Sequence, residues 1–286
     1  MNHVLYSPAK LNLTLRIGAR RADGLHDLSS VFLRLPSVEA LTITTDSENN
    51  VKDLLSVQAI ELKGINLVTR ASERLRALGW PLPFLRVSLW KQLPPGTGFG
   101  AGSGNGAAFL RWASALLGRS LPPELARELG ADVPFLVSGL PLAFACGVGE
   151  RLEGLKALNL SALLLVPRWS SPTARAFADL DRRREEQGSS VSDPLFFRIE
   201  AETLVDDLRR GATVGLLPND FTDLLAERHP EYGLFFAMAE KAGALAWGIS
   251  GSGSGAFALA QGPTVLLKLV ASVSAESWVT HLLVLE

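Results

Sequence analysis

Six glycines stand at every second position of LPPGTGFGAGSGNGAA, residues 93–108: Gly96, Gly98, Gly100, Gly102, Gly104 and Gly106. Glycine loses more conformational entropy on folding than any other residue, so the run must permit something that side chains would obstruct. Three phosphate-loop designs can be compared. A Walker-type loop needs a lysine after its last glycine, and residues 93–108 contain none. A dinucleotide-binding turn needs glycines tight against a strand end, with an acidic residue about 20 positions on. Gly96, Gly98 and Ala101 have that spacing, but Leu93-Pro94-Pro95 intervenes and the next acids, Glu124 and Glu128, fall in a helical stretch. The remaining design is a broad anion cradle, in which backbone N–H groups converge on phosphate oxygens. A helix expected to start near Asn105 would add its free N–H groups and positive dipole end. Ser103 offers a hydroxyl to a phosphate or to Mg²⁺.

Asp132 lies in Gly-Ala-Asp-Val-Pro-Phe, an apolar setting where a lone carboxylate is costly. Two readings stand side by side: a helix N-cap, because Pro134 and Phe135 follow, or a proton acceptor. Lys10 immediately precedes an alternating segment, which puts it at a strand end; taken alone it reads as a surface lysine. His26 taken alone reads as a structural histidine, presented by a turn at Asp23-Gly24. The triplet Arg182-Arg183-Arg184 beside Glu185 and Glu186 reads as a solvated face rather than an anion site.

The elements that must position these residues follow from periodicity. LNLTLRI (11–17) alternates strictly and predicts a half-buried strand, with Asn12, Thr14 and Arg16 on its polar face. LSSVFLRL and EALTITT predict two more strands separated by a turn at Pro36-Ser37. Leu67, Ala71, Leu75 and Leu78 recur at helical spacing up to Gly79. FLRVSLW (84–90) is a strand leading into the glycine run, and NGAAFLRWASALLG is a helix stopped by Gly118. PPELARELG predicts a short helix, ALLLVPRW a buried strand, and residues 182–194 an exposed loop. A second glycine run, GISGSGSGAFAL (248–259), lies between an alanine-rich helix and an apolar strand. The order is not a regular βαβα repeat and predicts an α+β chain. The best domain boundary falls near residues 150–160.

Composition excludes several classes. The chain has 286 residues, 47% hydrophobic and 20% charged, with a formal net charge of −1. Nothing in that balance calls for nucleic acid or an anionic membrane as partner. The longest apolar stretch, VPFLVSGLPLAFAC, is too short to span a bilayer and contains two prolines. The N-terminus does not read as a signal peptide. The single cysteine, Cys146, allows no internal disulfide and is expected to be a buried thiol, which fits a reducing, cytoplasmic compartment.

Pro-x-Gly-x-Gly-Phe-Gly (94–100) resembles the nucleotide loop of the GHMP small-molecule kinases, which usually reads Pro-x-x-x-Gly-Leu-Gly-Ser-Ser. The segments Pro8-Ala9-Lys10-Leu11-Asn12-Leu13 and Arg20-Arg21-Ala22-Asp23-Gly24-Leu25-His26 resemble the opening of one branch of that family. Asn66-Leu67, Gly130-Ala131-Asp132-Val133-Pro134-Phe135, Gly147-Val148-Gly149-Glu150, Pro172-Thr173 and the run SGSGSGAFAL continue the match in order. The resemblance runs from about Ser7 to about Ala260 and is weakest over 180–240. It implies a two-domain GHMP kinase fold, with a ribosomal-protein-S5-domain-2-like layer over 1–155, a ferredoxin-like α+β domain over 156–286 and an active site in the cleft between them. It implies ATP-dependent phosphorylation of the 2-hydroxyl of 4-diphosphocytidyl-2-C-methyl-D-erythritol, with Mg²⁺ entering on ATP, no side-chain metal ligand set assigned, and no nucleic-acid or membrane partner. It makes Lys10 and Asp132 catalytic. It places ATP against Pro95, Gly96, Gly98, Gly100, Ala101, Gly102, Ser103, Gly104, Asn105 and Asn66. It implies that Asn12, Leu25, His26, Thr173 and Phe177 hold the substrate, with His26 hydrogen-bonded to the cytosine and Phe177 stacked on it. Leu25 stands where the family has tyrosine, Gly104 replaces a serine and Gly106 an alanine. Two alternatives remain at this level: a kinase of the same fold acting on another alcohol, or a nucleotide-binding relative without catalysis.

Overall fold

The computed structural model describes residues 2–45, 52–60, 66–188 and 194–286. In chain order the first half comprises β1 (Asn2–Arg20), β2 (His26–Thr45), β3 (Leu54–Gln58), α1 (Leu67–Ala77), β4 (Leu85–Trp90), α2 (Ala101–Leu117), α3 (Pro123–Leu129), α4 (Val133–Ser138), β5 (Leu142–Gly147) and β6 (Arg151–Leu155). The second half comprises β7 (Ser161–Pro167), α5 (Thr173–Gln187), α6 (Pro194–Arg209), β8 (Gly215–Leu216), α7 (Thr222–Arg228), α8 (Glu231–Ala242), β9 (Ala246–Ile249), β10 (Ala256–Ala260), α9 (Pro263–Val273) and β11 (Val279–Leu285). The chain packs as two compact units. The first holds Met1–Lys10, Arg34–Pro95 and Gly100–Leu140; the second holds Leu11–Leu33, Gly96–Phe99 and Pro141–Glu286.

In the first unit β4 pairs antiparallel with the C-terminal part of β2, Ala40 opposite Trp90 and Thr45 opposite Leu85. β3 adds in parallel to β4. Leu41, Ile43, Val87 and Leu89 are buried, as are Val68, Leu75 and Phe109 from α1 and α2. Asn66 caps α1 by accepting a bond from the Val68 N–H at 2.7 Å. A buried polar cluster ties β2, β4 and α2 together. Lys91 Nζ lies 2.7 Å from Glu39 Oε2, and Asn105 Nδ2 donates to the same oxygen and to Ser7 Oγ, both at 2.8 Å. The other Glu39 oxygen accepts from the N–H groups of Gln92 and Leu93, so the buried charge is paired and its lone pairs are used.

In the second unit a sheet runs in the order β11-β7-β10-β9-β8. β10 is antiparallel to both β7 and β9, while β8 joins β9 in parallel. Every residue of β7 is buried, as the apolar run predicts for a central strand. Leu15 and Ile17 of β1 enter this core beside Leu163, Leu165, Phe235, Leu266 and Leu269. The N-terminal part of β2 pairs antiparallel with β5, Leu28 opposite Gly147, and β6 follows β5.

Five local expectations are corrected. Segment 11–17 buries both faces except at the half-buried Arg16, because the polar side is satisfied by hydrogen bonds: Asn12 Nδ2 donates to Ser30 Oγ at 2.9 Å and Thr14 Oγ1 accepts from the Val31 N–H at 2.9 Å. No turn divides β2 at Pro36-Ser37. Instead the strand bends there, with Ser37 at φ 56° and Pro36 supplying no N–H to a ladder. The Arg182–Arg184 triplet lies on the last turns of α5 rather than in a loop, bonded to Asp179, Glu227 and Asp220 respectively. Residues 189–193 of the expected loop lie outside the described residues. Cys146 is half-buried, since β5 meets β6 at Cys146 opposite Arg151.

The fifth correction concerns the glycine run. α2 starts at Ala101, four residues before the expected Asn105, so Gly102, Gly104 and Gly106 are helical. A Cβ on Gly104 would fall 1.7 Å from the Pro8 carbonyl oxygen, and one on Gly106 would fall 3.2 Å from Leu67 Cβ. Those two glycines let α2 pack closely on β1 and α1. A Cβ on Gly102 would meet nothing within 4 Å. Gly104→Ala should therefore destabilise the protein by about 2 kcal/mol or more through overpacking. Gly102→Ala should leave stability unchanged or raise it by up to about 1 kcal/mol. Denaturant unfolding of both variants checks the contrast.

Candidate active site

The first unit brings Lys10, Asp132 and the start of α2 together. Lys10 Nζ lies 3.6 Å from Asp132 Oδ1, with the lysine side chain 5% exposed and the aspartate 27%. Asp132 occupies the N-cap position of α4 yet makes no capping bond with its side chain. Its carboxylate is thus directed to Lys10 and partly to solvent. Gly100 sits against both groups: a Cβ there would lie 3.1 Å from Lys10 Cγ and 3.2 Å from Asp132 Oδ2. Gly100 is also left-handed, at φ 65°, which is what turns the chain into α2 at this point.

α2 begins without a side-chain cap. The N–H groups of its first turn, on Ala101, Gly102 and Ser103, have no acceptor inside the helix. Their donors, the dipole of a 17-residue helix, the open space at Gly102 and the Ser103 hydroxyl lie together directly after Gly100, which meets Lys10, an arrangement that can receive an anion. Two other expected phosphate-side residues are engaged elsewhere. Asn105 is buried among Ser7, Glu39 and Lys91, and Gly104 packs on Pro8. Asn66 uses its side-chain oxygen on α1. Pro95 belongs to this unit, directly before the loop.

The second unit holds the rest of the glycine loop and the residues expected to meet substrate. Loop 96–99 rests on the late glycine-serine run. The Gly255 N–H donates to the Thr97 carbonyl at 2.9 Å, and Ser250 Oγ donates to the Gly98 carbonyl at 2.9 Å. A Cβ on Gly98 would fall 1.9 Å from the Ser250 carbonyl oxygen, so this glycine serves backbone packing. Gly96, by contrast, has nothing within 4 Å of a Cβ position. Ser250 Oγ also accepts from the Asn12 N–H at 3.4 Å. Burial pushes the Tyr232 phenol above its usual pKa, which keeps it a donor; it bonds the Ser254 carbonyl at 2.7 Å and fixes the same run.

Gly24, at φ 82°, makes the expected turn, with Leu25 exposed after it. His26 Nε2 lies 2.8 Å from Asp181 Oδ1, and its ring sits 5.1 Å from the Phe177 ring at 36°. Phe177 in turn meets Phe221 edge-on at 5.0 Å. Thr173 opens α5 and its hydroxyl accepts from Ser252 Oγ at 3.1 Å. Ser250, Ser252 and Asp181 were not singled out by the sequence. The first two lie in a run whose composition is visible; Asp181 was detectable only as the residue four after Phe177 on a helix.

No group of three or more His, Cys, Asp or Glu side chains among the described residues is arranged to hold a metal ion. No helix among the described residues is long and apolar enough to cross a membrane.

Residues 66–147 match the GHMP kinases N terminal domain, and residues 202–277 match the GHMP kinases C terminal domain. The 4-diphosphocytidyl-2-C-methyl-D-erythritol kinase of Geobacter sulfurreducens is 30% identical over 278 residues, covering 96% of this chain and 95% of the relative. The enzyme of the same name from Kineococcus radiotolerans is 33% identical over 272 residues, covering 92% and 83%. A crystal structure of 4-(cytidine 5'-diphospho)-2C-methyl-D-erythritol kinase superposes with a TM-score of 0.76 at 32% identity, covering 99% of this chain and 98% of that one.

Ser250→Ala removes the donor to the Gly98 carbonyl without adding bulk. The expected cost is about 1–3 kcal/mol of stability, the penalty of a buried acceptor left unpaired. Chemical denaturation of the variant beside Ser252→Ala, whose hydroxyl bonds another hydroxyl, measures it.

Proposed function

The chain belongs to the GHMP kinases, and on that premise we propose that it transfers the γ-phosphate of ATP to the 2-hydroxyl of 4-diphosphocytidyl-2-C-methyl-D-erythritol. The products are the 2-phosphate and ADP, and the reaction belongs to the non-mevalonate route to isoprenoid precursors. Identities of 30% and 33% over nearly whole chains support the substrate. The observation that carries the chemistry is the 3.6 Å pair of Lys10 and Asp132 beside Gly100 and the uncapped start of α2.

In this reading Asp132 accepts the proton of the substrate hydroxyl as the oxygen attacks phosphorus. Lys10, beside that carboxylate, offsets charge growing on the transferred phosphoryl group. The first-turn N–H groups of α2 bind phosphate oxygens, with Gly96 and Gly100 shaping the approach and Gly98 seating the loop on Ser250. Mg²⁺ on the nucleotide neutralises triphosphate charge, and the hydroxyl of Ser103 is the oxygen this chain can offer it. Gly104, Asn105 and Asn66 act indirectly, by seating α2 and α1. Asn12 contacts the substrate's hydroxyls, held in place by Ser30 and Ser250. His26 bonds the cytosine, Phe177 packs beside it and Leu25 covers it with an aliphatic rather than aromatic face. Thr173 binds near the same end.

ADP release from Mg-ATP and the cytidyl substrate should be stoichiometric with substrate phosphorylation in the wild type. Asp132→Asn should lower kcat by about 10²–10⁴-fold while ATP still binds. Folded wild-type protein that binds ATP but turns over no cytidyl substrate would overturn the assignment.

A further inference from the structure

We propose that Asp181 is a specificity-positioning residue. Its carboxylate holds the His26 ring with Nε2 protonated, leaving Nδ1 as an acceptor that selects an amino-bearing pyrimidine over a keto one. The inference rests on the reading of His26 as the group that meets the base.

The placement comes from one helix face. Thr173, Phe177 and Asp181 recur every four residues along α5 and so share a stripe. Ala176 and Leu180, on the adjoining stripe, are buried in the core and fix the helix's rotation. His26 is thereby gripped twice by consecutive turns: its ring lies against Phe177 at 5.1 Å, and its Nε2 lies 2.8 Å from Asp181 Oδ1. A carboxylate only accepts, so this bond requires the proton on Nε2. Which imidazole nitrogen carries the proton is set by the bond the other nitrogen makes. In the neutral ring Nδ1 is then an acceptor, and it has no hydrogen-bond partner among the described residues. Such an acceptor pairs with the exocyclic amino group of cytosine. It opposes the carbonyl oxygen that uracil carries at that position. Without Asp181 the ring is free to exchange tautomers, and the preference weakens.

The ¹⁵N–¹H spectrum of histidine-labelled protein at pH 8, with His26 assigned through H26Q, reads the tautomer directly. A proton on Nε2 alone is expected in the wild type; a proton on Nδ1 would overturn the proposal without any Asp181 variant. Kinetics supply the second readout. Asp181→Ala should raise KM for the cytidyl substrate about tenfold, a loss of about 1.4 kcal/mol, with kcat and KM for ATP within about twofold. Its preference for the cytidyl over the uridyl substrate should narrow by a similar factor. Asp181→Asn keeps an acceptor oxygen and should recover most of both losses. If Asp181→Ala leaves substrate KM and base preference unchanged while His26→Ala raises KM, Asp181 has no positioning role. If His26→Ala itself leaves substrate KM unchanged, the reading of His26 fails, and this inference with it. Should Asp181→Ala not fold, the wild-type spectrum and Asp181→Asn decide: an Asp181→Asn base preference below that of His26→Ala would overturn the proposal.

Discussion

The contact that seats α2 is a backbone carbonyl lying where a side chain would begin. The Pro8 carbonyl oxygen occupies the space of a Cβ on residue 104, so the helix approaches β1 more closely than any residue but glycine allows. That approach, repeated more loosely at Gly106 against Leu67, fixes where the helix starts. Gly100 then falls against Lys10 and Asp132, and the first turn opens beside the ion pair. Asn105, one residue beyond the close contact, locks the arrangement by reaching Ser7 and Glu39. The buried Glu39–Lys91 pair is costly to desolvate, but besides their mutual bond the two charges make four hydrogen bonds, to Asn105, Gln92 and Leu93, and losing either charge would strand the other. The Lys10–Asp132 pair thus depends on packing several residues away from it.

The sequence made the family's motifs legible, but not the local packing around them. Lys10 and Asp132 stand 3.6 Å apart, and Asp132 occupies the N-cap position of α4 without a capping bond from its side chain. The α+β class and the two-domain GHMP kinase fold were readable from motif order and the mixture of periods. The glycine run was not readable position by position. Gly98 and Gly104 face backbone carbonyls, Gly106 faces a side chain, and Gly96 and Gly102 face open space, yet all five look alike as letters. Only tertiary distance separates a glycine kept for a ligand from one kept for a neighbouring strand.

The same limit explains the other misses. Alternation in LNLTLRI correctly marks a strand, but it cannot reveal that Ser30 and the backbone of Val31 satisfy the polar side and allow its burial. Ser250 and Asp181 have ordinary local surroundings; each acquires its importance from partners 152 and 155 positions away. Long-range hydrogen bonds leave no periodic trace.

The bare start of α2 has one further consequence. A helix with glycine at its cap gives up only about a few tenths of a kcal/mol relative to one with serine or aspartate there, and here a left-handed glycine stands in that place and leaves the first-turn donors bare. A phosphate bound there, as proposed above, would complete the same donors and serve as a removable cap for the longest helix described in the first unit. Ligand binding and helix integrity then become one equilibrium. Occupancy firms the first turn, and an empty loop leaves it the natural point of fraying. The protein's resistance to proteolysis at this segment should therefore track the nucleotide supply of its surroundings.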